Sequence, residues 1–504
     1  MRTALVPLFF VLVAPSWALA GEALPTSQQI FDRVQKADGA PWESERKATV
    51  WVRNGTTFRR TVWRRDKDYR EDDQNGPFET QSGNYHGQRW RQDENGVTLL
   101  VQRDPGNERA NQETSVVRRV QQPVDGYVIE TRDAQRHTRR VFVDGASWRI
   151  VREEVATPNA TAVTTYDDFR TVAGRTEAFH WKTADGHPEN TVDVTVTSDL
   201  PANISDADLR IPGFRRELFT LPDGMDHVDL PARILNGRIY VRATVGQRGL
   251  DFLLDTGAST LTLDGAIASQ LGLSVIDQRS MVTVQRHSIG EAIVPRIDIG
   301  ALRMKDVVVS VIPSLPKERT DTTIVGILGL DFLAQAVFKI DYEHGRVTAF
   351  RSDAFTPPGD PLTSTLPVRL GTGSPETTVV INGVKADRFT IDTGAAGTFL
   401  LFNYFVSRYP DVLKNGTYGE GESTFWGVGG FGTAKPYMLH ELLLGKTKFT
   451  DTPGYVVASD SAFDWAQDGL IGSDFLRLYD VWLDYEYSRI YLVPNAHGLH
   501  LMGY

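Results

Sequence analysis

The residues best suited to chemistry are two aspartates that occupy the same place in two nearly identical stretches. Asp255 lies in "DFLLDTGAST" and Asp392 in "RFTIDTGAAG", 137 positions later (392 − 255). Each follows a run of mostly apolar residues typical of a buried strand, and each is followed by Thr, Gly and Ala. A single match can simply be a strand that ends in a turn, where Asp accepts backbone hydrogen bonds. Two matched copies predict that the two carboxyl groups meet.

Two carboxyl groups that meet have a defined chemistry. At a separation of about 3 Å they cannot both ionise, because like charges repel, so the pair shares one proton. The pair titrates as a unit and is a base and an acid at once. The ionised partner can take a proton from a water, while the protonated partner donates a hydrogen bond to the carbonyl that the water attacks. No metal or other cofactor is needed, and none is expected.

The elements around the aspartates are duplicated. Each copy opens with a hairpin that runs into Asp-Thr-Gly, continues through a helix-like stretch, and ends with an apolar-apolar-Gly step, a helix and a strand pair. Three matched pairs are each 143 residues apart: Gly329 and Gly472, Asp331 and Asp474, Asp341 and Asp484. The sequence therefore predicts two homologous lobes, residues 233–355 and 368–497, joined by a Pro-rich linker at 356–367.

Together these motifs resemble the aspartic peptidases, and within them the retropepsin-like branch, over about residues 230–495. In that family, two lobes related by a twofold axis each donate one Asp-Thr-Gly. The resemblance implies a mainly β, two-lobed aspartic-peptidase β-barrel fold in which Asp255 and Asp392 are the catalytic pair. It also implies supporting roles for residues beside that pair: Thr256, Gly257, Thr393, Gly394, and the glycines of Ile327-Leu328-Gly329 and Leu470-Ile471-Gly472.

One departure from the pepsin-type members bears on pH. Those members often have a hydroxyl three residues after the aspartate, which bonds the outer carboxyl oxygen. Here both positions are alanine, Ala258 and Ala395, as in retropepsins. Without that donor the carboxylates are less stabilised as anions. The sequence therefore predicts an activity optimum nearer neutral than that of the stomach enzymes.

A glycine-rich stretch, "STFWGVGGFGTAKPY" at residues 423–437, resembles the hairpin tip that closes over substrate in retropepsins. The resemblance implies bending or substrate-binding roles for five of its residues: Trp426, Gly427, Gly429, Gly430 and Phe431. The same letters satisfy the dinucleotide-binding pattern GxGxxG, which needs a strand before it and a helix after it. Lys435-Pro436 follows shortly, which disfavours that reading. The first lobe's counterpart, "TVQRHSIGEAIV", predicts a weaker flap.

The remaining ionisable residues of the motifs have structural interpretations. Asp331 and Asp474 follow the apolar-Gly steps and are predicted to cap helices. Asp341 and Asp484 lie in late strands and are predicted to be structural. His287 is predicted to be a surface residue.

The region before the lobes has its own pattern. Residues 26–38, "TSQQIFDRVQKAD", predict an amphipathic helix with Ser27 as its cap, Gly39 as its stop, and an apolar face of Ile30, Phe31 and Val34. From there to about Thr197 the apolar residues alternate, with hairpin turns at Asn54-Gly55 and Asp144-Gly145, which predicts an antiparallel sheet.

This N-terminal β domain, residues 21–215, resembles the half-barrel of periplasmic lipoprotein-carrier proteins in pattern alone. A β-type prodomain or spacer is an equal alternative. A Pro-punctuated linker is predicted at residues 216–232.

Composition sets the outer limits. The 504-residue chain is 41% apolar and 23% charged with a net charge of −10, so nucleic-acid binding has little support. Residues 1–20 read as a secretion signal: Arg2, an apolar centre, and a predicted cut after Ala20. No later apolar run is long enough to span a membrane. The absence of cysteine removes disulfides and thiol chemistry.

These observations predict a secreted or periplasmic endopeptidase that acts on peptide or protein substrates. Since one chain holds both lobes, it is expected to work as a monomer. The alternative is a non-catalytic peptide- or lipoprotein-binding protein that uses the N-terminal β domain.

Overall fold

The computed structural model describes residues 24–101, 114–132, 137–157, 160–282, 285–315, 324–370, 373–428, 430–457 and 467–502. The predicted secretion signal lies outside these residues. The prediction of a mainly β protein is confirmed: an antiparallel β domain with an N-terminal helix precedes two barrel lobes. None of the helices in the described ranges has the length and apolar character that a membrane crossing requires.

The N-terminal helix, Ser27–Asp38, begins one residue earlier than a cap at Ser27 would allow. Thr26, not Ser27, is the N-cap: its Oγ1 accepts a hydrogen bond from Gln29 N at 3.2 Å, and the Gln29 side chain accepts one from Thr26 N at 2.9 Å. This reciprocal arrangement is a capping box, and it satisfies two otherwise unpaired backbone donors. Gly39 ends the helix at a φ of 90°, as predicted.

The buried face of this helix is narrower than the sequence suggests. Ile30 and Val34 are buried against the sheet, whereas Phe31, predicted on the same face, is 37% exposed. Residues i and i+4 share one side of a helix, and residue i+1 is rotated about 100° away from them. The packing therefore uses only the i, i+4 pair.

One 13-stranded antiparallel sheet forms the rest of the N-terminal domain. The predicted hairpin turn at Asn54-Gly55 is present, and both residues have positive φ, 46° and 77°, as a tight two-residue turn requires. The first and the last strand of the domain in sequence pair with each other in the interior of the sheet. Its strands are β1 Ser44–Arg53, β2 Thr56–Arg65, β3 Asp68–Asn75, β4 Phe78–Tyr85, β5 Gln88–Gln92, β6 Thr98–Val101, β7 Thr114–Val120, β8 Gly126–Arg132, β9 Thr138–Asp144, β10 Ile150–Ala156, β11 Thr161–Val172, β12 Arg175–Ala184 and β13 Val192–Pro201.

The two lobes combine short helices with strands of 2 to 15 residues. The strands are β14 His227–Asp229, β15 Ala232–Leu235, β16 Arg238–Val245, β17 Arg248–Leu254, β18 Thr262–Asp264, β19 Ile276–Val282, β20 Arg286–Ile299, β21 Leu302–Ile312, β22 Ile324–Leu328, β23 Val337–Asp341, β24 Arg346–Phe350, β25 Ser364–Pro367, β26 Glu376–Ile381, β27 Val384–Ile391, β28 Phe399–Leu401, β29 Thr417–Tyr418, β30 Ser423–Gly427, β31 Gly430–Leu444, β32 Thr447–Val457, β33 Gly469–Ile471, β34 Tyr479–Asp484 and β35 Arg489–Pro494. The remaining helices are Asp206–Leu209, Gly265–Gln270, Leu330–Leu333, Asn403–Arg408, Ser473–Leu476 and Ala496–Leu501, with 3₁₀ turns at Pro188–Asn190, Ser352–Ala354 and Pro410–Leu413.

Each lobe contains a closed six-stranded barrel with the same topology. In the first lobe the ring runs β16-β17-β22-β18-β21-β20 and closes because β20 pairs back to β16. In the second lobe it runs β26-β27-β33-β28-β32-β31 and closes through the pairing of β31 with β26. The predicted duplication is therefore visible as repeated topology.

A six-stranded sheet, β14-β24-β23-β34-β35-β25, joins the lobes. Its central pair is β23 of the first lobe against β34 of the second. Its two edge strands come from the segments predicted as linkers: β14 lies within 216–232, and β25 lies within 356–367. Leu218 and Phe219 of the former segment are also buried in the apolar core that both lobes share. These segments therefore contribute structure as well as connection.

Candidate active site

The two aspartates lie at equivalent ends of equivalent strands. Asp255 follows β17, whose parallel neighbour is β22, and Asp392 follows β27, whose parallel neighbour is β33. The backbone N–H of Asp255 donates to Leu328 O at 3.1 Å, and that of Asp392 donates to Ile471 O at 2.9 Å. The apolar residues of these strands are buried in the barrels, and each aspartate lies at the end of its barrel that faces the other lobe.

The structure brings the two carboxyl groups together at the boundary between the lobes. Each carboxyl also packs against the glycine of the opposite loop. A Cβ added to Gly394 would lie 2.4 Å from Asp255 Cγ, and one added to Gly257 would lie 2.7 Å from Asp392 Cγ. Only glycine permits so close an approach of backbone to side chain. The glycines of the two Asp-Thr-Gly motifs therefore set the distance between the carboxyls.

The two carboxyls differ in their hydrogen-bond donors. Among the described residues, Asp392 Oδ1 accepts from the N–H groups of Gly394 and Ala395, both at 2.9 Å, whereas Asp255 Oδ1 accepts from one backbone N–H, that of Gly257, at 2.8 Å. Burial raises the pKa of both groups, and the charge of Asp392 raises the pKa of Asp255 well above its usual range. Because backbone donors stabilise an anion, they favour ionisation of Asp392 over ionisation of Asp255.

The threonines of the motifs lock the two loops across the lobe boundary. Thr256 Oγ1 donates to Ile391 O at 2.6 Å and accepts from Thr393 N at 3.0 Å. Thr393 Oγ1 donates to Leu254 O at 2.8 Å and accepts from Thr256 N at 3.1 Å. Both threonines have 0% exposure. Four buried hydrogen bonds therefore hold the aspartates in fixed relative positions.

The apolar-Gly steps support the loops from behind. A Cβ on Gly329 would lie 2.6 Å from Thr260 O, and one on Gly472 would lie 2.5 Å from Gly397 O. The residues that follow these glycines reach the loops in the same way in both lobes. Leu330 N donates to Ala258 O at 2.9 Å, and Ser473 N donates to Ala395 O at 2.8 Å.

The prediction that Asp331 and Asp474 cap the helices after these steps is wrong. The N-cap residues are Gly329 and Gly472, because the close packing of these glycines against the loops places the helix start there. The two aspartates point instead to the loop beyond each Asp-Thr-Gly. Asp331 Oδ2 accepts from Leu261 N at 2.9 Å, and Asp474 Oδ2 accepts from Gly397 N at 3.2 Å.

The glycine-rich stretch forms a hairpin in which β30 pairs with β31 and Gly427 lies opposite Gly430. A strand follows the motif instead of a helix, so the dinucleotide pattern does not apply. Phe431 is 48% exposed, and its carbonyl accepts a hydrogen bond from Gln285 of the first lobe's hairpin at 3.2 Å. The two hairpins therefore meet. Gly429 and the Trp426 side chain lie outside the described part.

The tip of the second-lobe hairpin also makes an apolar contact that the sequence did not indicate. Val428 packs against a cluster of buried side chains in the first lobe, together with Ala258, three residues from Asp255. The cluster comprises Tyr240, Leu253, Ile289, Ile312, Leu315, Ile324 and Ile327. A branched apolar side chain thus already fits against this surface beside the carboxyl pair.

Three further residues near the pair were missed in the sequence. The positive charge of Arg238 favours the ionised form of both aspartates. Burial raises the pKa of Tyr342 and Tyr485, with further contributions from the charge of Asp392 in the first case and Asp255 in the second. The tyrosines are 143 residues apart, like the other duplicated pairs, and this spacing was the available signal.

The other predicted residues lie in structural positions. Asp341 accepts a hydrogen bond from His344 N at 2.9 Å, and Asp484 accepts one from Tyr487 N at 3.3 Å, each in the turn after its strand. His287 lies in β20, with Nδ1 3.2 Å from Gln285 O. Within the described ranges, no group of three or more His, Asp or Glu side chains is arranged to hold a metal ion.

Residues 241–332 match the sequence profile of a family described as "Aspartyl protease". The matched segment runs from β16 to the helix after Gly329, and so contains Asp255 and the loop that carries it. This part of the first lobe is therefore similar in sequence to aspartyl proteases, in agreement with the resemblance. Comparison with the curated proteins found no match.

Three solved structures are similar in parts. An aspartic proteinase from Irpex lacteus is 14% identical with a TM-score of 0.36, covering 55% of this chain and 100% of that chain. A LolA superfamily protein from Nitrosomonas europaea is 13% identical with a TM-score of 0.27, covering 37% and 98%. A putative outer membrane lipoprotein-sorting protein domain from Vibrio parahaemolyticus is 8% identical with a TM-score of 0.28, covering 36% and 94%.

Proposed function

We propose that the protein is a retropepsin-like aspartic endopeptidase, secreted or periplasmic, that hydrolyses peptide bonds with a water activated by Asp255 and Asp392. The observation that carries this proposal is the close approach of the two Asp-Thr-Gly loops, in which each carboxyl packs against the glycine of the other loop and Thr256 and Thr393 lock the loops together. The aspartyl protease match over residues 241–332 supports it. Since one chain supplies both carboxyls, the active form is a monomer.

The unequal carboxyls give each a role. Ionised Asp392 takes a proton from a water held between the pair, while protonated Asp255 donates a hydrogen bond to the carbonyl oxygen of the scissile bond. The water oxygen bonds to the carbonyl carbon, and the carbonyl oxygen takes the proton of Asp255 to give a tetrahedral diol. The proton now on Asp392 passes to the nitrogen as the C–N bond breaks. One diol hydroxyl then returns its proton to Asp255, which restores the starting state.

The flap contacts suggest which substrates fit. A peptide in the cleft must displace Val428 from the first-lobe cluster beside Asp255. The cluster is apolar, so an apolar side chain in the substrate would recover the lost burial. The direct test is incubation of the purified protein with a mixed peptide library, with fragments identified by mass spectrometry. Absence of cleavage from acidic to neutral pH would reject the proposal.

The pH–rate profile is expected to be bell-shaped, with its maximum at a higher pH than unperturbed carboxyl groups would give. Activity requires an ionised Asp392, so it falls as pH drops through the pKa of that group. It also requires a protonated Asp255, so it falls again as pH rises through the higher pKa of that group. Burial raises both pKa values above the usual carboxyl value of about 4. The measurement is kcat/KM against pH on one peptide, and a maximum below about pH 3 would contradict it.

A second candidate function is ligand binding by the N-terminal β domain, and a cavity in that domain favours it. The cavity has a volume of about 460 Å³ and lies on the face shared by β2, β1, β13 and β12. Trp51, Trp181 and Val62 give it apolar walls, while Glu45 and Arg175 form an ion pair at its edge. Seven charged side chains also line the cavity, and five of them are cationic, so it suits a ligand that combines an apolar part with an anionic group.

This binding function has its own test in the Asp392→Asn protein, which is expected not to cleave. Binding of a fluorescent N-acylated peptide would be measured by anisotropy. Val62→Trp, which fills the cavity, is expected to weaken binding at least about tenfold. Val155→Trp, at a 40% exposed position of β10, is the control and is expected to bind normally. Equal affinity of both variants would exclude the cavity.

A further inference from the structure

The N-terminal β domain grips strand β19, the outer strand of the first lobe's flap hairpin. Arg53 Nε donates to Asp277 Oδ1 at 2.8 Å, and Arg53 Nη2 donates to the other carboxylate oxygen. Asn54 Nδ2 donates to Gln278 O at 2.8 Å. Two residues of the N-terminal domain, Arg53 and Asn54, are thus joined to two residues of the first lobe at the turn of the β1–β2 hairpin.

A second contact extends this grip along the strand. Ser280 N donates to Asn190 Oδ1 at 2.7 Å, and Asn190 Nδ2 donates to Ser280 O at 3.0 Å. The amide side chain therefore pairs with the strand as a neighbouring strand would. Since β19 is the last strand of its sheet, its outer edge is otherwise unpaired, and the N-terminal domain covers it.

The side chains that contact β19 are themselves held in position by other residues of the N-terminal domain. The Arg53 guanidinium lies 5.2 Å from the ring centres of both Trp51 and Phe58, which stack on each other. Asn190 Nδ2 also donates to Asp185 Oδ2 at 2.8 Å. Such support fixes the rotamer of each side chain, so little conformational entropy is lost when it binds β19.

The ion pair between Arg53 and Asp277 is largely shielded from solvent. The side chain of Asp277 is 3% exposed, and Arg279 Nη1 contacts the same carboxylate at 2.7 Å. A carboxylate so deeply buried needs its partners, because removal of one cation leaves an incompletely compensated charge away from water. Strand β19 is therefore bound to the N-terminal domain by a buried ion pair as well as by hydrogen bonds.

A separate contact ties the N-terminal domain to the support of the catalytic loop. Asn95 is 3% exposed and forms two hydrogen bonds with the Val308 backbone, both at 2.9 Å. Asn95 Nδ2 also donates to Asp331 Oδ2 at 3.1 Å, and the same oxygen accepts from Leu261 N in the loop after Asp255. Removing the N-terminal domain would leave the Val308 backbone groups and Asp331 without their hydrogen bonds to Asn95. A prodomain that is cut off during activation would not be expected to make such buried contacts.

We propose that the N-terminal β domain is a permanent part of the active enzyme, in which Arg53, Asn54 and Asn190 are positioning residues that fix the first lobe's flap. The inference rests on the proposed peptidase function. Holding β19 also holds its hairpin partner β20, whose neighbouring residue Gln285 meets Phe431 of the other flap. The first flap is thus a fixed support, and the second flap closes on it.

The test combines amide hydrogen exchange with steady-state kinetics on the full chain. Asn190→Ala and Arg53→Met are each expected to speed exchange of the β19 amides, Ser280 in particular, by about tenfold or more, because local opening becomes easier. KM for a peptide is expected to rise about fivefold with kcat within about twofold, since the carboxyl pair is untouched. Arg53→Lys, which keeps the charge, should recover part of the loss.

Arg59→Met is the matched control, because Arg59 is exposed on the same hairpin, and it should change neither readout. Unchanged exchange in both Asn190→Ala and Arg53→Met would overturn the inference. So would an active natural form that lacks residues 24–215 by mass spectrometry. If the wild-type protein cleaves nothing, the proposed function fails, and hydrogen exchange still decides whether the grip holds the flap.

Discussion

Replacement of either catalytic-pair aspartate by asparagine is expected to lower kcat for peptide cleavage by a factor of about 10³ or more. In the proposed mechanism, Asp392→Asn removes the base that takes the proton of the water. Asp255→Asn keeps a hydrogen-bond donor but cannot transfer its proton and recover it. Because the proposed mechanism has the two groups share one proton, neither is expected to replace the other. The measurement is single-peptide turnover at the wild-type pH optimum, with both variants assayed beside the wild type.

Stability measurements separate this effect from damage to the fold. Each asparagine relieves the burial of charge that raises the carboxyl pKa values, so the midpoint of thermal unfolding should stay the same or rise. Asp298→Asn is the control, since Asp298 forms a surface ion pair with Arg296 in the same lobe and should keep full activity. Turnover by either catalytic variant above a tenth of the wild-type rate would be incompatible with a shared-proton mechanism.

Thr256→Val is expected to reduce the free energy of unfolding by about 2–5 kcal/mol. Valine keeps the shape of the side chain but removes both hydrogen bonds of its hydroxyl, which leaves Ile391 O and Thr393 N buried without that partner. Each buried group left unpaired costs about 1–3 kcal/mol. Activity should also fall sharply, because the lock sets the relative position of the carboxyls.

Chemical denaturation of the variant and the wild type gives the comparison, with activity measured on the same samples. Thr393→Val should reproduce the loss, since its hydroxyl makes the same two kinds of contact in the other direction. Thr161→Val is the control at an exposed strand end, where the change should be small. A loss below about 1 kcal/mol for both buried threonines would mean that solvent or relaxation replaces the lock.

The sequence predicted the fold class and brought the two aspartates forward because both depend on local patterns repeated at fixed spacing. Apolar strands that end in Asp-Thr-Gly, and matched apolar-Gly steps, can be recognised from short stretches of sequence without knowledge of the tertiary structure. The helix cap was also readable, since Thr26 and Gln29 have the spacing of a capping box, and Ser27 was a misreading of that pattern. The exposure of Phe31 depended on where the helix lies against the sheet, which letters alone do not give.

The contacts between distant parts could not be predicted in this way. Asn54 was recognised as a turn residue, but its partner Gln278 lies 224 positions along the chain. Asp331 was expected to cap a helix because aspartate is common there, whereas tertiary packing made Gly329 the cap and turned the carboxylate toward Leu261. The meeting of the two flap tips likewise depends on how the lobes face each other.

Because one chain supplies both β23 and β34 of the shared sheet, the two halves need not be alike. A peptidase assembled from two identical chains must carry every change twice, once in each subunit. Here a substitution enters one half only, and the halves stay joined at any dilution. That asymmetry explains how one hairpin could become anchored to a neighbouring domain while its twin kept the glycines that let it bend.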